Sequence, residues 1–426
     1  MTPTRREFIA TVGTGAMASA IASSSSMADE QKSARGAPRL RVRTVTAGLT
    51  LDSLGDLAAI DKTVALLRRA RRRFEDAGYE VQTLRIATQP IIAAMDPAAR
   101  DRALPALIAL DKAVQSDQIF LSLGPLLVDD RADATLAAWC AELVQRTATL
   151  MFSTSVASAE GGVHRKTCAT AAGVMLALAK ALPGGVANFR FAAAANIPAG
   201  TPFFPVGFHE GAASIAIGLE TPGLVEEAFT GAHDPLEGEQ RLRNLFNHEL
   251  GAVERIGLEL AAKEGVRYLG IDPSPAPAMD SSIGAAIEAL THVPFGSAST
   301  LGACAAITSA LKTLSVKTCG YAGLMLPVLE EPVLAARAVE GRYGIEELLL
   351  YSSVCGTGLD VVPIPGDCTA DTVARIVGDV ASLAVKLRKP LSARLFPVPG
   401  KRAGELVRFD NPRLTETSVF AVDAGR

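Results

Sequence analysis

The sequence predicts an α/β fold built on a large, mainly parallel sheet, and three observations support this prediction. Apolar runs rich in β-branched residues alternate with longer helical patterns after residue 40. Hydrophobic residues make up 49% of the 426-residue chain, so a sizeable core can form without disulfides or metals. The formal net charge is −3, which provides no general attraction for nucleic acid, and no nucleic-acid partner is expected.

The strand and helix patterns follow one another along the chain. Strands are predicted at 40–47, 79–88, 118–123, 150–155, 188–195, 214–219, 268–272, 315–318, 348–354 and 391–396. Helices are predicted at 56–77, 97–114, 132–145, 162–182, 238–264, 297–314 and 370–386. Such alternation requires crossover connections, which leave parallel strands buried on both faces. About ten strands are many for an open sheet, so we expect an α/β barrel with its helices outside.

The amino terminus has the features of an export signal. Arg5 and Arg6 are followed by Phe8 and by a weakly apolar stretch at 10–22, which is typical of twin-arginine signals. A structural helix is the alternative, but the glycines and serines of this stretch are poor helix formers. The apolar run is also too short to span a bilayer well, so no stable membrane insertion is expected after cleavage.

These features divide the chain into three parts. Residues 1–28 are predicted to be the signal peptide, 29–39 a polar linker and 40–426 a single domain. Cleavage could follow Ala22 or Ala28, since small residues precede both positions. The predicted location is periplasmic or extracellular, and the twin-arginine translocon is the expected partner during export.

Two other compositional features favour structural roles. Five arginines lie within 68–73, inside a helical pattern, and a solvated helix face is favoured over an anion site. The six cysteines contain no Cys-x-x-Cys pair, so most of them are expected to be small buried hydrophobic residues.

The first candidate site lies in the Pro/Gly-rich segment 201–211. His209 could act as a general base near neutral pH and Glu210 could orient it, or both could bind a metal. An ordinary hydrogen-bonding role for a loop histidine is the alternative.

The second candidate lies at 270–277, directly after a predicted strand. Asp272 and Ser274 stand where α/β proteins bind ligands, at the carboxyl end of a strand. The alternative is a proline-rich turn that the aspartate caps.

The third candidate is the segment 353–367. Cys355, between a predicted strand and the glycines Gly356 and Gly358, resembles a nucleophile beside anion-binding N–H groups; a buried structural thiol is the alternative. Asp360 and Asp367 follow in the same Gly/Pro-rich segment and are candidates for ligand binding or acid–base work.

The fourth candidate, 317–327, has glycines dense enough for close approach to a ligand, although close packing against a neighbouring strand is the favoured explanation.

The histidines never form a His-x-x-x-His pair, so a divalent metal would need carboxylates from separate loops, such as Glu210, Glu220, Asp272, Asp360 and Asp367. Walker and dinucleotide motifs are absent, and no nucleotide cofactor is expected.

Several segments together resemble one family. They are 43–48, 203–211, 270–274, 320–327, 355–367 and 394–401. On these motifs the chain is similar to the DUF711 (UPF0210-like) proteins, whose members lack a settled reaction. The resemblance implies a ten-stranded barrel like that of the pyruvate formate-lyase-like glycyl radical enzymes, and it adds Arg394 to the candidate ligand-binding residues. No radical is expected, because about a hundred residues follow Gly320 and export would expose the radical to oxygen.

These expectations leave two function classes open. The first is an exported hydrolase or lyase acting on a small polar metabolite at the barrel mouth, with His209, Glu210, Cys355 and Asp360 as catalytic residues. The second is a periplasmic protein that binds a small ligand or a metal without turnover. We expect the six residues His209, Glu210, Asp272, Cys355, Asp360 and Asp367 to share one pocket; a homo-oligomer remains open.

Overall fold

A ten-stranded sheet organises the computed structural model, which describes residues 40–278 and 280–422. Its strands are β1 Arg41–Leu49, β2 Val81–Thr88, β3 Phe120–Pro125, β4 Leu150–Ser158, β5 Gly162–Val163, β6 Phe191–Ala195, β7 Ser214–Glu220, β8 Arg267–Asp272, β9 Gly358–Pro365 and β10 Leu391–Val398. A separate pair joins β11 Leu406–Val407 to β12 Thr417–Ser418. The predicted signal peptide and linker lie outside the described residues.

Helices cover the outer side of the sheet. They are α1 Leu57–Asp76, α2 Pro97–Gln115, α3 Leu136–Arg146, α4 Arg165–Ala181, α5 Pro222–Phe229, α6 Pro235–Glu264, α7 Ile283–Thr291, α8 Thr300–Lys312, α9 Pro332–Val339, α10 Ile345–Ser352 and α11 Ala370–Leu387. Short 3₁₀ segments lie at Pro183–Arg190 and Val328–Glu330. Within the described part of the chain, no helix is both long and apolar enough to cross a membrane.

The longest helix, α6, shows how the sequence sets such elements. The Asp234 side chain accepts a hydrogen bond from the Glu237 N–H at its start, where Pro235 occupies the first turn. Gly265 ends the helix in the left-handed conformation, which glycine adopts without steric cost. One face carries the buried residues Leu242, Phe246, Leu250, Val253, Ile256 and Leu260, which join the main hydrophobic core. The amphipathic pattern therefore places α6 against the sheet.

The strand order is β8-β7-β1-β2-β3-β4-β6-β10-β9, with β5 paired to β4. Five central strands run parallel, and the two strands at each flank run in the opposite direction, because β1–β7 and β6–β10 pair antiparallel. Pairing within each flank is parallel again. The prediction of a mainly parallel α/β sheet with helices outside is confirmed.

A bridging segment, residues 317–327, occupies the gap between the two sheet edges. At the β8 edge, the Ile271 N–H donates to Lys317 O and the Cys319 N–H donates to Ile271 O, each at 2.9 Å. At the β9 edge, Pro327 forms a single bridge with Asp360. The sheet is thus curved and barrel-like but is not closed by strand-to-strand hydrogen bonds. Positive φ values of 66° at Gly320 and 45° at Ala322 interrupt the extended geometry that a closing strand would need.

The structure corrects the prediction of a strand at 315–318, where Thr318 forms only an isolated bridge with Ile271. It also corrects two adjacent predictions. Segment 348–354, predicted to be a strand, belongs mainly to helix α10, which the Glu347 side chain caps by accepting from the Gly344 N–H at 2.7 Å. The following segment, expected to be a loop, contains strand β9. Its prolines resemble loop punctuation, but β9 lies at the sheet edge, where a strand tolerates proline.

The arginines at 68–73 lie mostly on the exposed face of α1. Arg68 pairs with Asp117 and Arg69 with Glu264, both at the surface. The solvated-face prediction is confirmed. Four of the six cysteines are buried and all six are unpaired, as expected for small hydrophobic side chains.

Candidate active site in the barrel cavity

The curved sheet surrounds a cavity of about 650 Å³. Residues from the sheet centre and from strands near both edges line it, so it lies on the concave side of the sheet. The loop 203–206 enters this space, where Phe203 and Val206 pack with Ala192, Tyr321 and Met325 in a small apolar cluster. Arginines and carboxylates lie among mainly apolar residues in the remaining walls, and buried charged groups of this kind are unusual for the centre of an α/β fold.

One wall carries an ion-paired aspartate. Arg394 of β10 donates from Nε to Asp360 Oδ1 of β9 at 2.8 Å, and its Nη2 lies 3.7 Å from Glu330 Oε1. Burial alone would lower the pKa of Arg394, but Asp360 and Glu330 outweigh it and raise this pKa. Arg394 therefore stays charged and fixes the orientation of Asp360 at the cavity wall.

A hydroxyl chain lies beside this pair. Ser392 Oγ donates to Thr357 O at 3.2 Å, so the Tyr321 hydroxyl donates to Ser392 Oγ at 2.8 Å. Burial, together with Asp360, raises the pKa of Tyr321, which keeps its phenol protonated at neutral pH. The Thr357 Oγ1 is buried in the same wall and has no hydrogen-bond partner within the described residues.

The opposite wall holds a second charged network. Arg41 contacts Glu220 at 2.7 Å and also pairs with Asp280. Arg43 lies 3.3 Å from the other Glu220 oxygen and donates to Gln82 Oε1 at 2.8 Å. The carboxylate of Glu220, at the end of β7, is therefore shared by two arginines of β1.

Arg85 of β2 lies between these walls and is 9% exposed. Its Nη1 donates to Pro202 O over 3.4 Å, and its guanidinium stacks over the Phe204 ring at 5.2 Å from the centroid. No carboxylate pairs with it among residues 40–278 and 280–422. Arg85 is thus a buried cavity arginine with no ion pair and an unpartnered Nε. Arg190 and Arg413 of the lining also have no ion pair within the described residues, but Arg190 is bonded to backbone carbonyls and Arg413 is exposed.

Of the residues predicted from sequence, Asp360, Arg394 and the possible metal ligand Glu220 line this cavity. Asp272 and Ser274 are fully buried outside its lining. Asp272 Oδ1 accepts from the Ser274 N–H and hydroxyl and from the Ala322 N–H, while Oδ2 accepts from the Tyr321 N–H at 2.8 Å. Asp272 therefore holds the bridging segment in place.

His209 and Glu210 lie elsewhere. The His209 ring packs on Gly48 near the end of β1, where its Nε2–H donates to Gly211 O at 2.9 Å and its Nδ1 accepts from the Ser214 hydroxyl. Burial lowers the pKa of His209, with partial compensation by the Gly211 bond. Glu210 is exposed. Both ring nitrogens are thus engaged in local hydrogen bonds that fix the loop.

The remaining candidates also stand apart from the cavity. The Cys355 side chain is buried and does not line it. Gly356 packs against the backbone of Gly323, and Gly358 packs against Ser392 O. Asp367 is exposed beyond the end of β9. The structure therefore does not gather the six predicted residues into one pocket.

The metal candidates Glu210, Asp272, Asp360 and Asp367 do not converge. In the part of the chain that the structure describes, no group of three or more His, Cys, Asp or Glu side chains is arranged to hold a metal ion.

Arg85, Tyr321 and Ser392 were not among the predicted site residues. A detectable signal was present for Arg85, because one charged residue interrupts the otherwise apolar end of β2 in a strand expected to be buried on both faces. Arg41 and Arg43 alternate along β1 in the same way.

Comparison with known proteins identifies the family. Residues 36–411 match the family model described as Uncharacterised ACR (DUF711). The chain belongs to the DUF711 family. The cavity residues from Arg41 to Arg394 all lie within the DUF711 match. The likeness to the pyruvate formate-lyase-like barrel stays a prediction.

UPF0210 proteins are among the relatives of this DUF711 chain. One from Pyrobaculum aerophilum is 30% identical over 352 residues, which cover 77% of this chain and 76% of the relative. Another from Pyrobaculum arsenaticum is 31% identical, with 84% and 82% covered. A third from Desulforudis audaxviator is 29% identical over 87% and 88%.

Proposed function

We propose that this DUF711 protein is an exported hydrolase or lyase acting on a small polar metabolite bound in the barrel cavity. The observation that carries the proposal is the cavity of about 650 Å³ with Asp360, Arg394 and Tyr321 fixed on one wall. Small-molecule sites typically measure about 300–1,000 Å³ and hold a few well-placed polar groups. The lack of nucleotide and redox motifs in the sequence favours non-redox chemistry.

Within this proposal, Asp360 accepts a proton from the substrate or from water. Arg394 occupies its Oδ1, and Oδ2 receives no hydrogen bond from the described residues, which leaves an acceptor beside the cavity. Arg394 acts as a positioning residue. The protonated Tyr321 hydroxyl supplies a hydrogen-bonding group on the same wall.

We expect Asp360→Asn to reduce turnover at least about 100-fold, the usual minimum for loss of a general base. The mature protein and the variant would each be incubated with a metabolite extract, and mass spectrometry would follow substrate loss. A hydrolase adds the mass of water across the products, whereas a lyase divides the substrate without it. Asp367→Asn is the matched control, because Asp367 is exposed outside the cavity.

The assignment of the site would be contradicted if Asp360→Asn kept its turnover while a substitution outside the cavity abolished it. The melting temperature should change little in Asp360→Asn, since Arg394 retains Glu330 as a neighbour.

The second candidate function is ligand binding without turnover. It is favoured by the Asp360–Arg394 ion pair, which engages one oxygen of the carboxylate, and by the burial of the Cys355 thiol. The same experiment separates the two, because a binding protein would retain a metabolite of unchanged mass in stoichiometric amount.

Export rests on the sequence of the first 28 residues. Replacing Arg5 and Arg6 together by lysine should leave an unprocessed precursor in the cytoplasm, because the twin-arginine translocon recognises the arginine pair. Cell fractionation and immunoblotting would measure this, with Arg35→Lys in the linker as the control. Normal processing of the double variant would show that the chain does not follow this route.

A further inference from the structure

We propose that the cavity selects ligands bearing an anionic group, a carboxylate or a phosphate, and that Arg85 provides its counter-charge. This inference rests on the proposed function for the location of the ligand and adds its chemical class. It concerns a residue in the middle of β2, far in sequence from Asp360 and Arg394 but in the same cavity.

Arg85 is incompletely hydrogen-bonded. Its Nε has no partner in the described structure, and the acceptor of its Nη1, Pro202 O, is 3.4 Å away. Arg190, another buried arginine, provides the contrast. Arg190 donates to Leu150 O at 2.7 Å and to Val144 O and Thr147 O at 3.0 and 2.6 Å. Arg190 is therefore structural, whereas Arg85 retains donors for a further partner.

Arg85 also differs from three other cavity arginines in its ion pairing. Each of Arg41, Arg43 and Arg394 has a carboxylate within 4 Å, whereas Arg85 has none in the described chain. Burial lowers the pKa of Arg85 to about 9, and the positive charges of Arg43 and Arg394 act in the same direction, while Glu330 acts against them. Arg85 is still protonated at neutral pH, so a buried cation without an ion pair lines the cavity.

The guanidinium of Arg85 also packs over an aromatic ring, with its Cζ 5.2 Å from the centroid of Phe204. Its unpartnered Nε leaves part of the planar donor edge free, and arginine binds two oxygens of a carboxylate or phosphate along such an edge. Thr357 adds a buried hydroxyl without a partner to the cavity lining. The two unpartnered side chains make this a preformed polar site.

The test uses the mature chain with three probes: inorganic phosphate, succinate and its neutral analogue succinamide. Melting temperature would be followed against probe concentration, at ionic strength matched with sodium chloride. We expect a saturable rise with phosphate or with succinate and none with succinamide, and the stronger response identifies the anion class. Arg85→Met should weaken that response at least tenfold, while Arg72→Met, on the exposed face of α1, should match the wild type.

Unliganded Arg85→Met should be at least as stable as the wild type, because the substitution removes an uncompensated buried charge. Arg85→Lys is a second variant that keeps the charge but loses the planar fork, and a several-fold weaker response is expected. An unchanged anion response in either variant, equal binding of succinamide, or no saturable response to either anion would overturn the proposal.

The variant Met151→Trp, which narrows the cavity, separates this inference from the proposed function. If that variant blocks ligands that Arg85→Met still binds, the cavity remains the site and the charge assignment fails. If anions bind through Arg85 but no metabolite is converted, the anion site stands and the enzyme proposal fails.

Discussion

Gly356→Ala is expected to lower the free energy of unfolding by more than about 3 kcal/mol. A Cβ at this position would lie 2.4 Å from the Gly323 Cα and carbonyl carbon. These are backbone atoms, so no side-chain rotation can relieve the overlap. The Gly356 N–H also donates to Leu324 O at 2.8 Å, and the two segments would have to separate. Urea denaturation of the purified variant measures the loss.

Gly251→Ala is the matched control. Gly251 lies in the exposed middle of α6, and nothing lies within 4 Å of the position that its Cβ would take. Alanine should there stabilise the protein by about 0.5–1 kcal/mol through helix propensity. Similar stability of Gly356→Ala and the wild type would show that the bridging segment does not pack against this turn.

The contact between these two glycines also explains a motif that the sequence associates with ligand binding. Close packing of Gly323 on Gly356 brings the bridging segment beside β9, so that Tyr321 and Asp360 reach the same cavity. The glycines thus act on the site through backbone approach. The sequence alone does not show whether such a glycine packs against backbone or against a ligand, because both roles require a residue without a side chain.

Most helices and strands were predictable because their apolar residues recur clearly at the spacing of a helix or a strand. Helices α1 and α6 and strands β1, β2 and β10 lie close to their predicted bounds. Prediction failed around residues 348–365, where a short apolar run fits either a strand or one face of a two-turn helix. The proline-containing β9 forms a strand at the sheet edge by pairing with β10. This pairing is a tertiary contact, so the local sequence pattern does not predict it.

The site was less predictable than the fold for a topological reason. Ligand sites were expected at the carboxyl ends of the parallel strands, where His209 does lie, beside Gly48. The cavity instead lies toward the amino ends of the central strands, at Arg41 and Val81. Because the flanking strands run in the opposite direction, Glu220 at the carboxyl end of β7 meets Arg41 there. Strand direction could not be read from the residues, so the site was sought at strand ends, and the charged residue in the middle of β2, Arg85, was not connected with a cavity.

Asp272→Ala is expected to lower the free energy of unfolding by about 3–5 kcal/mol, because it leaves several buried donors without an acceptor. Burial raises the pKa of Asp272, while its bonds from Ser274, Tyr321 and Ala322 act in the opposite direction. Asp272→Asn should also destabilise, since its amide can present one oxygen only and its NH₂ would face a donor. Denaturation with urea measures both variants.

Ser274→Ala is the milder comparison: it removes one hydroxyl donor to Asp272 and the acceptor of the Gly323 N–H, and it should cost about 1–3 kcal/mol, less than Asp272→Ala. Stability equal to the wild type in Asp272→Ala would contradict the structural role of this carboxylate. The comparison with Asp360→Asn is decisive for function, because the two aspartates differ in what surrounds them. Asp272 faces only donors from the fold, so its loss should remove turnover by unfolding the bridging segment that carries Tyr321. Asp360 faces the cavity, so its loss should remove turnover from a protein that remains folded.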